Sequence, residues 1–173
     1  MKYLAQCIFA IGIIFGSTTS AQSKVISSSS DHFTLRHEVV TELTTEQVWD
    51  RLIVPSTWWA PDHTYSGKSE NLSLELKPGG LWAEKWQSGS VKHGEVIFVK
   101  HRKQLRLNAP FGPLQEKAVT DVWTITLTAQ ENGTLITFDE VATGSSVSKL
   151  DELALAVDFV KNEAIKRLAA SPK

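Results

Sequence analysis

The strongest local constraint on this chain is Asn132-Gly133, which lies between two runs rich in β-branched and aromatic residues. A type I′ hairpin turn needs positive φ at both central positions, and asparagine and glycine adopt that conformation most readily. The sequence therefore predicts an antiparallel hairpin closed by this two-residue turn. In that register three cross-strand pairs share one apolar face: Trp123 with Ala142, Ile125 with Glu140, and Leu127 with Phe138.

Glu140 is unusual because it falls on the apolar face of the predicted hairpin. A buried carboxylate costs several kcal/mol unless it is paired, hydrogen-bonded or protonated. Functionally, it could orient a ligand or act as a general acid or base. Structurally, it could lie at the open end of the sheet and reach water or pair with a lysine or arginine. Both interpretations stay open from the sequence.

The segment that begins at Phe33 predicts a strand with one buried side, since its apolar residues alternate with polar ones. The buried side consists of Phe33, Leu35, His37 and Val39. Thr44 and Gln47 then form a capping box, and the helix that follows should stop before Pro55. A second short helix or turn carries the pair Trp58-Trp59.

Further strands are predicted at 72–76, 81–86, 91–99 and 105–107. Trp82, Glu84 and Trp86 share one face, but the sequence does not show whether that face points inward. The facing of 91–99 also stays open, because its Val-Ile-Phe-Val ending does not alternate.

The last predicted element is a long amphipathic helix that Ser148 caps, with Asp151 in its first turn. Its apolar stripe consists of Leu150, Leu153, Val157, Val160, Ala164 and Leu168. A strand, two short helices, a run of antiparallel strands and a terminal helix together predict an α+β fold.

Several short motifs occur in an order and spacing that resemble the START-like (SRPBCC) superfamily. They are Trp58-Trp59 with Pro61-Asp62-His63, Gly79-Gly80-Leu81-Trp82, His93-Gly94-Glu95-Val96, Gly133 to Thr137, and Lys166-Arg167-Leu168. The chain is similar to the branch named after the activator of the heat-shock chaperone ATPase and to polyketide cyclase-like proteins. The resemblance covers Phe33 to Ala170.

The resemblance implies a helix-grip fold, in which a curved antiparallel sheet wraps around a long C-terminal helix and two short helices follow the first strand. It also implies a cavity between the sheet and that helix. It does not imply one activity, because the superfamily includes lipid carriers, hormone receptors, cyclases and chaperone partners.

The N-terminus reads as a signal peptide, 1–21, because a short apolar run follows Lys2 and small residues precede Ala21. An uncleaved membrane anchor is the alternative interpretation. Residues 22–32 then form a flexible leader, and 33–170 form the single domain. Cys7, the only cysteine, leaves with the signal, so the mature chain has no thiol. The predicted location is periplasmic or secreted, with no stable membrane anchor after cleavage, which argues against a cytosolic chaperone as partner.

Composition and residue spacing limit the classes of partner and cofactor that the sequence predicts. The formal net charge is −1 and falls to −2 without Lys2, so a basic surface for nucleic acid is not expected. No cofactor is expected, and a metal site is not predicted because His63, His93 and His101 lack ligand spacing. Nothing in the sequence identifies a protein partner.

The candidate ligand-binding residues are aromatic or ionisable side chains on the predicted inner faces and in the loop after the first helix. They are His37, Trp58, Trp59, Trp82, Glu84, Trp86, Asp121, Trp123 and Glu140. His37 could equally be a satisfied core residue, and one of Trp58 and Trp59 is expected to be partly exposed.

These residues support an exported binding protein for a small hydrophobic or amphipathic ligand. The alternative is a cofactor-independent cyclase or lyase that uses a cavity carboxylate and a histidine. A third hypothesis is an interaction module that stabilises a partner protein. No catalytic motif is strong enough to name a reaction.

Overall fold

Eight strands with antiparallel pairing form one curved sheet in the computed structural model, which describes residues 22–171. In chain order they are β1 (Gln22–Ser29), β2 (His32–Thr41), β3 (Leu72–Leu74), β4 (Leu81–Trp86), β5 (Gly89–Lys100), β6 (Gln104–Asn108), β7 (Thr120–Gln130) and β8 (Gly133–Thr143). The order across the sheet is β1-β2-β8-β7-β6-β5-β4-β3. The strand next to the N-terminal edge therefore pairs with the last strand of the chain.

Within residues 22–171 there are three α-helices: α1 (Thr45–Leu52), α2 (Pro113–Glu116) and α3 (Leu150–Ala169). Short 3₁₀ turns occur at Pro55–Thr57, Pro61–His63, Ser69–Asn71 and Ser146–Ser148. The long helix α3 packs against β1, β2 and β8, so one face of the curved sheet closes on it. None of the helices within residues 22–171 is long and apolar enough to cross a membrane. The α+β fold is therefore confirmed, and its layout is consistent with a helix-grip arrangement.

Local patterns in the first half of the chain are confirmed. Phe33, Leu35, His37 and Val39 are all buried on one side of β2. The Thr44 hydroxyl accepts a hydrogen bond from the Gln47 amide, and the Gln47 side chain accepts one from the Thr44 amide. Helix α1 ends at Leu52, before Pro55, as the proline requires.

The prediction of a flexible leader at 22–32 is wrong for its first eight residues, which form β1. β1 pairs antiparallel with β2 and so becomes an edge of the sheet. Its serine-rich composition gives little strand signal, and the neighbouring strand supplies the backbone hydrogen bonds. The predicted signal peptide, 1–21, lies outside the described residues.

Two short helices after the first strand are not confirmed in that form. The first strand of the described residues is β1, and β2 follows it directly. After β2 the chain forms the α-helix α1 and three 3₁₀ turns, one of which precedes Trp58.

The register predicted for the β7–β8 hairpin is wrong by two residues. Gln130 pairs with Gly133, so the loop is Glu131-Asn132, and neither of these residues has positive φ. Gly133 itself has a φ of 130°, and a Cβ at this position would lie 1.9 Å from the carbonyl oxygen of Thr41. The glycine is needed for close approach to the end of β2 rather than for a type I′ turn.

The predicted cap of the last helix is also wrong. Ser148 donates its hydroxyl to the carbonyl of Lys117, and Lys149 occupies the N-cap position with a φ of 51°. Asp151 does lie in the first turn, where its charge favours the helix N-terminus.

Candidate functional site

A cavity of about 470 Å³ lies between α3, the loop that contains Trp59 to Tyr65, and the segment that contains Phe111 to Glu116. Most of its wall is apolar, and the main apolar side chains are Trp59, Phe111, Leu114, Leu153, Val157 and Val160. The polar groups on the wall include Tyr65, His93, Glu140 and Lys161. An apolar cavity with a few polar groups is the usual form of a small-molecule site.

The apolar stripe predicted on α3 serves two purposes. Leu150, Ala164 and Leu168, towards its ends, are buried in the core. Leu153, Val157 and Val160, in its middle, are only partly buried and line the cavity. A helix that filled the core along its whole length would have these residues buried as well. Part of the predicted core stripe is therefore a cavity wall.

Glu140 is buried and forms an ion pair with Lys161 of α3, with Oε2 and Nζ 3.2 Å apart. Glu140 pairs across the hairpin with Trp123, not with Ile125. The Lys161 ammonium lies 3.5 Å from the centre of the Trp123 ring and 4.7 Å from that of Phe111. Lys161 is therefore the cation that compensates the buried charge of Glu140, and the two aromatic rings stabilise its ammonium. Both residues are part of the cavity wall.

Asp121 is buried beside this ion pair, on the same face of β7 as Trp123. Neither of its carboxyl oxygens meets a hydrogen-bond donor among the described residues. Burial, and then the negative charge of Glu140, raise the pKa of Asp121 well above its ordinary value, although Lys161 opposes the shift. Asp121 therefore holds its proton to a higher pH than an ordinary aspartic acid does, beside the ion pair of Glu140 and Lys161.

A second buried pair joins Glu84 of β4 to His93 of β5, with Oε2 and Nε2 2.8 Å apart. Trp82 pairs with Gly94 and Ala83 pairs with Lys92, so His93 is the extra residue of a β-bulge. A bulge turns a side chain away from the regular alternation, and here it directs His93 inward. Gly94 is required next to it, because a Cβ there would lie 2.7 Å from that of Ala109.

Glu84 is held by more than the histidine. Its carboxylate also accepts hydrogen bonds from the amides of Tyr65 (3.0 Å) and Ser66 (2.6 Å). Burial alone would raise the pKa of Glu84, but these hydrogen bonds, with that from His93, lower it below its ordinary value. Glu84 is therefore an ionised carboxylate that fixes both the histidine and the loop after Trp59.

The protonation of His93 follows from this arrangement. A carboxylate only accepts hydrogen bonds, so Nε2 of His93 carries the proton that it shares with Glu84. Burial lowers the pKa of His93, although Glu84 partly offsets this, so the ring is neutral at neutral pH. Nδ1 is then an acceptor, and no described residue hydrogen-bonds to it. The ring stacks on Phe111, with centroids 5.5 Å apart, at the cavity wall.

His37 is positioned differently. Its Nε2 lies 2.9 Å from Oδ1 of Asp158 on α3, and its Nδ1 is buried without a hydrogen-bond partner in the described part of the chain. Burial lowers the pKa of His37, whereas Asp158 opposes the shift. His37 is buried behind the cavity rather than on its wall, so it ties β2 to α3.

Trp58 and Trp59 are both buried, so the expectation that one of them is partly exposed is wrong. Only Trp59 lines the cavity, and its Nε1 donates to the carbonyl of His63. Trp58, Trp82 and Trp123 pack around it as a cluster of rings with edge-on and tilted contacts. Close packing of both rings against Trp82 leaves neither in water.

The facing of the two uncertain strands follows from bulges. Trp82 and Glu84 point inward, whereas Trp86 is partly buried and packs on Gly89 at the β4–β5 turn. In β5 a second irregularity lies between Val96 and Phe98. It leaves Ile97 and Phe98 both exposed, which explains why this run does not alternate.

Two site residues that were not among the sequence candidates are Lys161 and His93. Lys161 falls four residues after Val157 and three before Ala164, so its place on the apolar stripe could have been read from the spacing. His93 could not be placed, because a bulge has no reliable sequence signal. Within residues 22–171, no group of three or more His, Cys, Asp or Glu side chains could hold a metal ion.

Comparisons with known proteins show the fold of this chain and not its function. No protein-family model matches the chain, and no curated protein matches it significantly. Solved structures do match, among them a conserved protein of unknown function from Enterococcus faecalis, with 15% identity over 86% of this chain and 74% of that chain and a TM-score of 0.56.

Two further structures are similar over most of both chains. An uncharacterized protein from Rhizobium leguminosarum has 16% identity over 87% of this chain and 96% of that chain, with a TM-score of 0.56. CalU16 from Micromonospora echinospora has 14% identity over 88% and 87%, with a TM-score of 0.53. At these identities the likeness shows a shared α+β fold and nothing about activity.

Proposed function

We propose that this chain is an exported protein that binds a small hydrophobic or amphipathic molecule between its sheet and α3. The observation that carries the proposal is the cavity of about 470 Å³, whose wall is mainly aromatic and aliphatic with a few buried polar groups. This volume suits a small organic ligand, and the polar groups would fix its orientation. The partly buried residues in the middle of α3 support the proposal, because a ligand would complete their burial.

Membership of the START-like superfamily, in the branch that resembles the chaperone-ATPase activator, is part of the same proposal. The order of the sequence motifs and the closure of the sheet on the C-terminal helix support it. Periplasmic or secreted location rests on the short apolar run and small residues of 1–21.

The test is a matched pair of blocking variants on α3. Ala156 lines the cavity, whereas Leu155 is 72% exposed and does not. Ala156→Trp should obstruct the cavity, and Leu155→Trp should leave it open, because only the first position lines it. Both positions are exposed on one helix, so neither change should disturb the core. Fluorescence of the apolar probe N-phenylnaphthylamine measures binding to the mature protein and to each variant.

We expect the mature protein and Leu155→Trp to bind the probe equally, and Ala156→Trp to bind it at least about tenfold more weakly, since it loses apolar contact area. Native mass spectrometry of protein from its own host should also detect a small molecule that leaves on unfolding. Equal probe binding by all three proteins, or none by the mature protein, would refute the cavity as a binding site.

A second function, a cofactor-independent cyclase or lyase, is favoured by one observation. The neutral His93 is oriented by Glu84 and has a free acceptor nitrogen at the cavity wall, as a general base requires. The proton donor would be an acidic C–H or O–H of the bound molecule, and the proton would move to Nδ1. The test incubates the co-purified molecule in D₂O with the protein and with His93→Gln. Deuterium incorporation at a carbon of the ligand that His93→Gln loses while retaining the ligand would establish proton abstraction by His93, the step that both reactions need, and no incorporation by either protein would exclude it.

A further inference from the structure

Nδ1 of His93 is an unused hydrogen-bond acceptor at the cavity wall. The residue is 2% exposed and its Nε2 donates to Glu84, so Nδ1 of the neutral ring has a lone pair and no proton. No group within residues 22–171 donates to it. Nδ1 of His37 also lacks a partner there but is fully enclosed, whereas Nδ1 of His93 is not. A ligand that displaces water from the cavity must therefore supply a donor, or leave a buried acceptor unsatisfied.

The position of this acceptor is fixed. Glu84 holds Nε2 at 2.8 Å, and the ring of Phe111 stacks on the imidazole with centroids 5.5 Å apart. Turning the imidazole over would place a carbon against Glu84 and lose that hydrogen bond. Tyr65 lies beside the imidazole, 5.7 Å away between centroids, but among the described residues no hydrogen bond joins the two side chains.

Other ionisable groups of the wall do not replace His93 as a contact for a ligand. Nζ of Lys161 and both carboxylate oxygens of Glu140 are fully enclosed, so a molecule in the cavity does not reach them. His63 also lines the cavity, but it is only partly buried, so water can satisfy its ring nitrogens. His93 therefore presents the buried polar atom that a bound molecule meets.

The donor that suits this site is uncharged. A carboxylate has no proton to donate and would direct its lone pairs at that of Nδ1. An ammonium could donate, but the buried carboxylates of Glu84 and Glu140 are already paired, so its charge would be buried without compensation. An amide would bring a carbonyl that also loses water in a mainly apolar cavity. A hydroxyl group provides the donor with the smallest additional polar surface.

We propose that the ligand carries an uncharged hydroxyl group, phenolic or alcoholic, which donates a hydrogen bond to Nδ1 of His93 within the cavity. The inference rests on the proposed binding function, because it names the chemical class of the molecule that the cavity takes. Its apolar body lies against Trp59, Phe111 and Val157. The hydroxyl group fixes the orientation of the ligand, and no proton transfer is needed for binding.

The test compares naphthol with methylnaphthalene, substituted at the same ring position. The two molecules have nearly the same size, and the methyl compound is the more apolar, so a cavity without an accessible acceptor would prefer it. Isothermal titration calorimetry measures the affinity of the mature protein for each. We expect naphthol to bind about fivefold more tightly, the effect of one hydrogen bond between uncharged groups.

His93→Gln removes the acceptor. The glutamine amide can still donate to Glu84, but it places no acceptor where Nδ1 lies. This variant should bind methylnaphthalene as the mature protein does and should prefer it to naphthol. The matched control is His63→Gln, the same change at a second histidine of the wall, which should keep the preference for naphthol. Thermal unfolding establishes that both variants are folded before binding is compared.

A second measurement needs no variant and decides the question if His93→Gln does not fold. Nitrogen NMR of the mature protein records the resonance of Nδ1 of His93, which moves upfield when that atom accepts a hydrogen bond. The complex with naphthol should show this resonance upfield of its position in the complex with methylnaphthalene.

A naphthol preference that His93→Gln loses and His63→Gln keeps supports the inference, as does the upfield resonance. A preference for methylnaphthalene in the mature protein, a naphthol preference that survives in His93→Gln, or equal Nδ1 resonances in the two complexes overturns it. The proposed function stands in those cases if N-phenylnaphthylamine binds. Failure of both naphthalenes and of that probe to bind overturns the proposed function and this inference together.

Discussion

The imidazole Nε2 of His93 lies 2.8 Å from a carboxylate oxygen of Glu84, and both side chains are almost fully buried. The two residues come from adjacent strands, and a β-bulge brings the histidine to the inner face. Glu84 also binds the backbone of Tyr65 and Ser66, so one carboxylate links the sheet, the histidine and the loop at the cavity.

Glu84→Gln should lower the pKa of His93 further. Burial already holds that pKa below its ordinary value, and the charge and hydrogen bond of Glu84 are the opposing influences that the variant removes. NMR titration of the histidine ring protons measures the change. The pKa of His37 serves as the internal control, because its carboxylate partner is Asp158. A His93 pKa that rises, or a His37 pKa that moves equally, would contradict this account.

Lys161→Met alone should destabilise the fold by about 3–5 kcal/mol, because it leaves the buried Glu140 without its partner. The double variant with Glu140→Met should recover most of that loss, since an apolar pair of similar volume replaces the ion pair. Urea unfolding of the two variants and the unaltered protein provides the three free energies. If the double variant is as unstable as Lys161→Met, the loss arises from packing and not from the orphaned charge.

Asp121→Asn should change how stability depends on pH. The folded protein holds the Asp121 proton more tightly than the unfolded chain, so this residue makes the free energy of unfolding fall as the pH rises above 3.8 towards the folded pKa. Asparagine cannot ionise, so the variant lacks that contribution and should gain stability relative to the unaltered protein as the pH rises.

Urea unfolding of both proteins between about pH 5 and pH 8 measures the difference. Burial lowers the pKa of both His37 and His93, which makes stability rise with pH up to their ordinary value of 6.5 in both proteins. The comparison of the two proteins cancels that contribution. Parallel curves would mean that Asp121 is ionised in the folded state.

Gly133→Ala should destabilise the protein by more than about 2 kcal/mol, because it adds a clash to an unfavourable backbone conformation. The new Cβ would lie 1.9 Å from the carbonyl oxygen of Thr41. Gly67→Ala is the matched control: its φ is also positive, at 72°, but nothing lies within 4 Å of the added carbon. The control should cost about 1 kcal/mol from backbone strain alone. Equal losses in thermal unfolding would show that close approach to Thr41 is unimportant.

Local periodicity predicted much of the fold. The buried side of β2 and the capping box at Thr44 depend on residues a few positions apart, so they could be read directly. β1 was missed because its serines do not alternate in polarity, and its pairing with β2 is a tertiary contact. The predicted hairpin register was wrong because Gly133 is required by its close approach to Thr41, which is distant in sequence.

The site was only partly predictable for a similar reason. Glu140 could be identified because a carboxylate on the apolar face of a strand is unusual and is visible in the local sequence pattern. Its partner Lys161 lies on another element, and its role depends on how α3 crosses the sheet. His93 needed the bulge, and the sequence candidate His37 instead bonds to Asp158, behind the cavity. Strand register decides which histidine lies at the cavity. The alternation of polar and apolar residues along one strand does not predict that register.

The pairing of β2 with β8 sets the order in which this protein can be completed. Phe33 lies opposite Ala142, so the junction of the second and third strands across the sheet joins two segments from opposite halves of the chain. Closing so long a loop is entropically costly, and folds dominated by such contacts form slowly. Until β8 leaves the ribosome, β2 and β7 each present an unpaired edge. A nascent chain stalled before that point would be prone to strand-mediated aggregation and would be a natural client for a holdase chaperone.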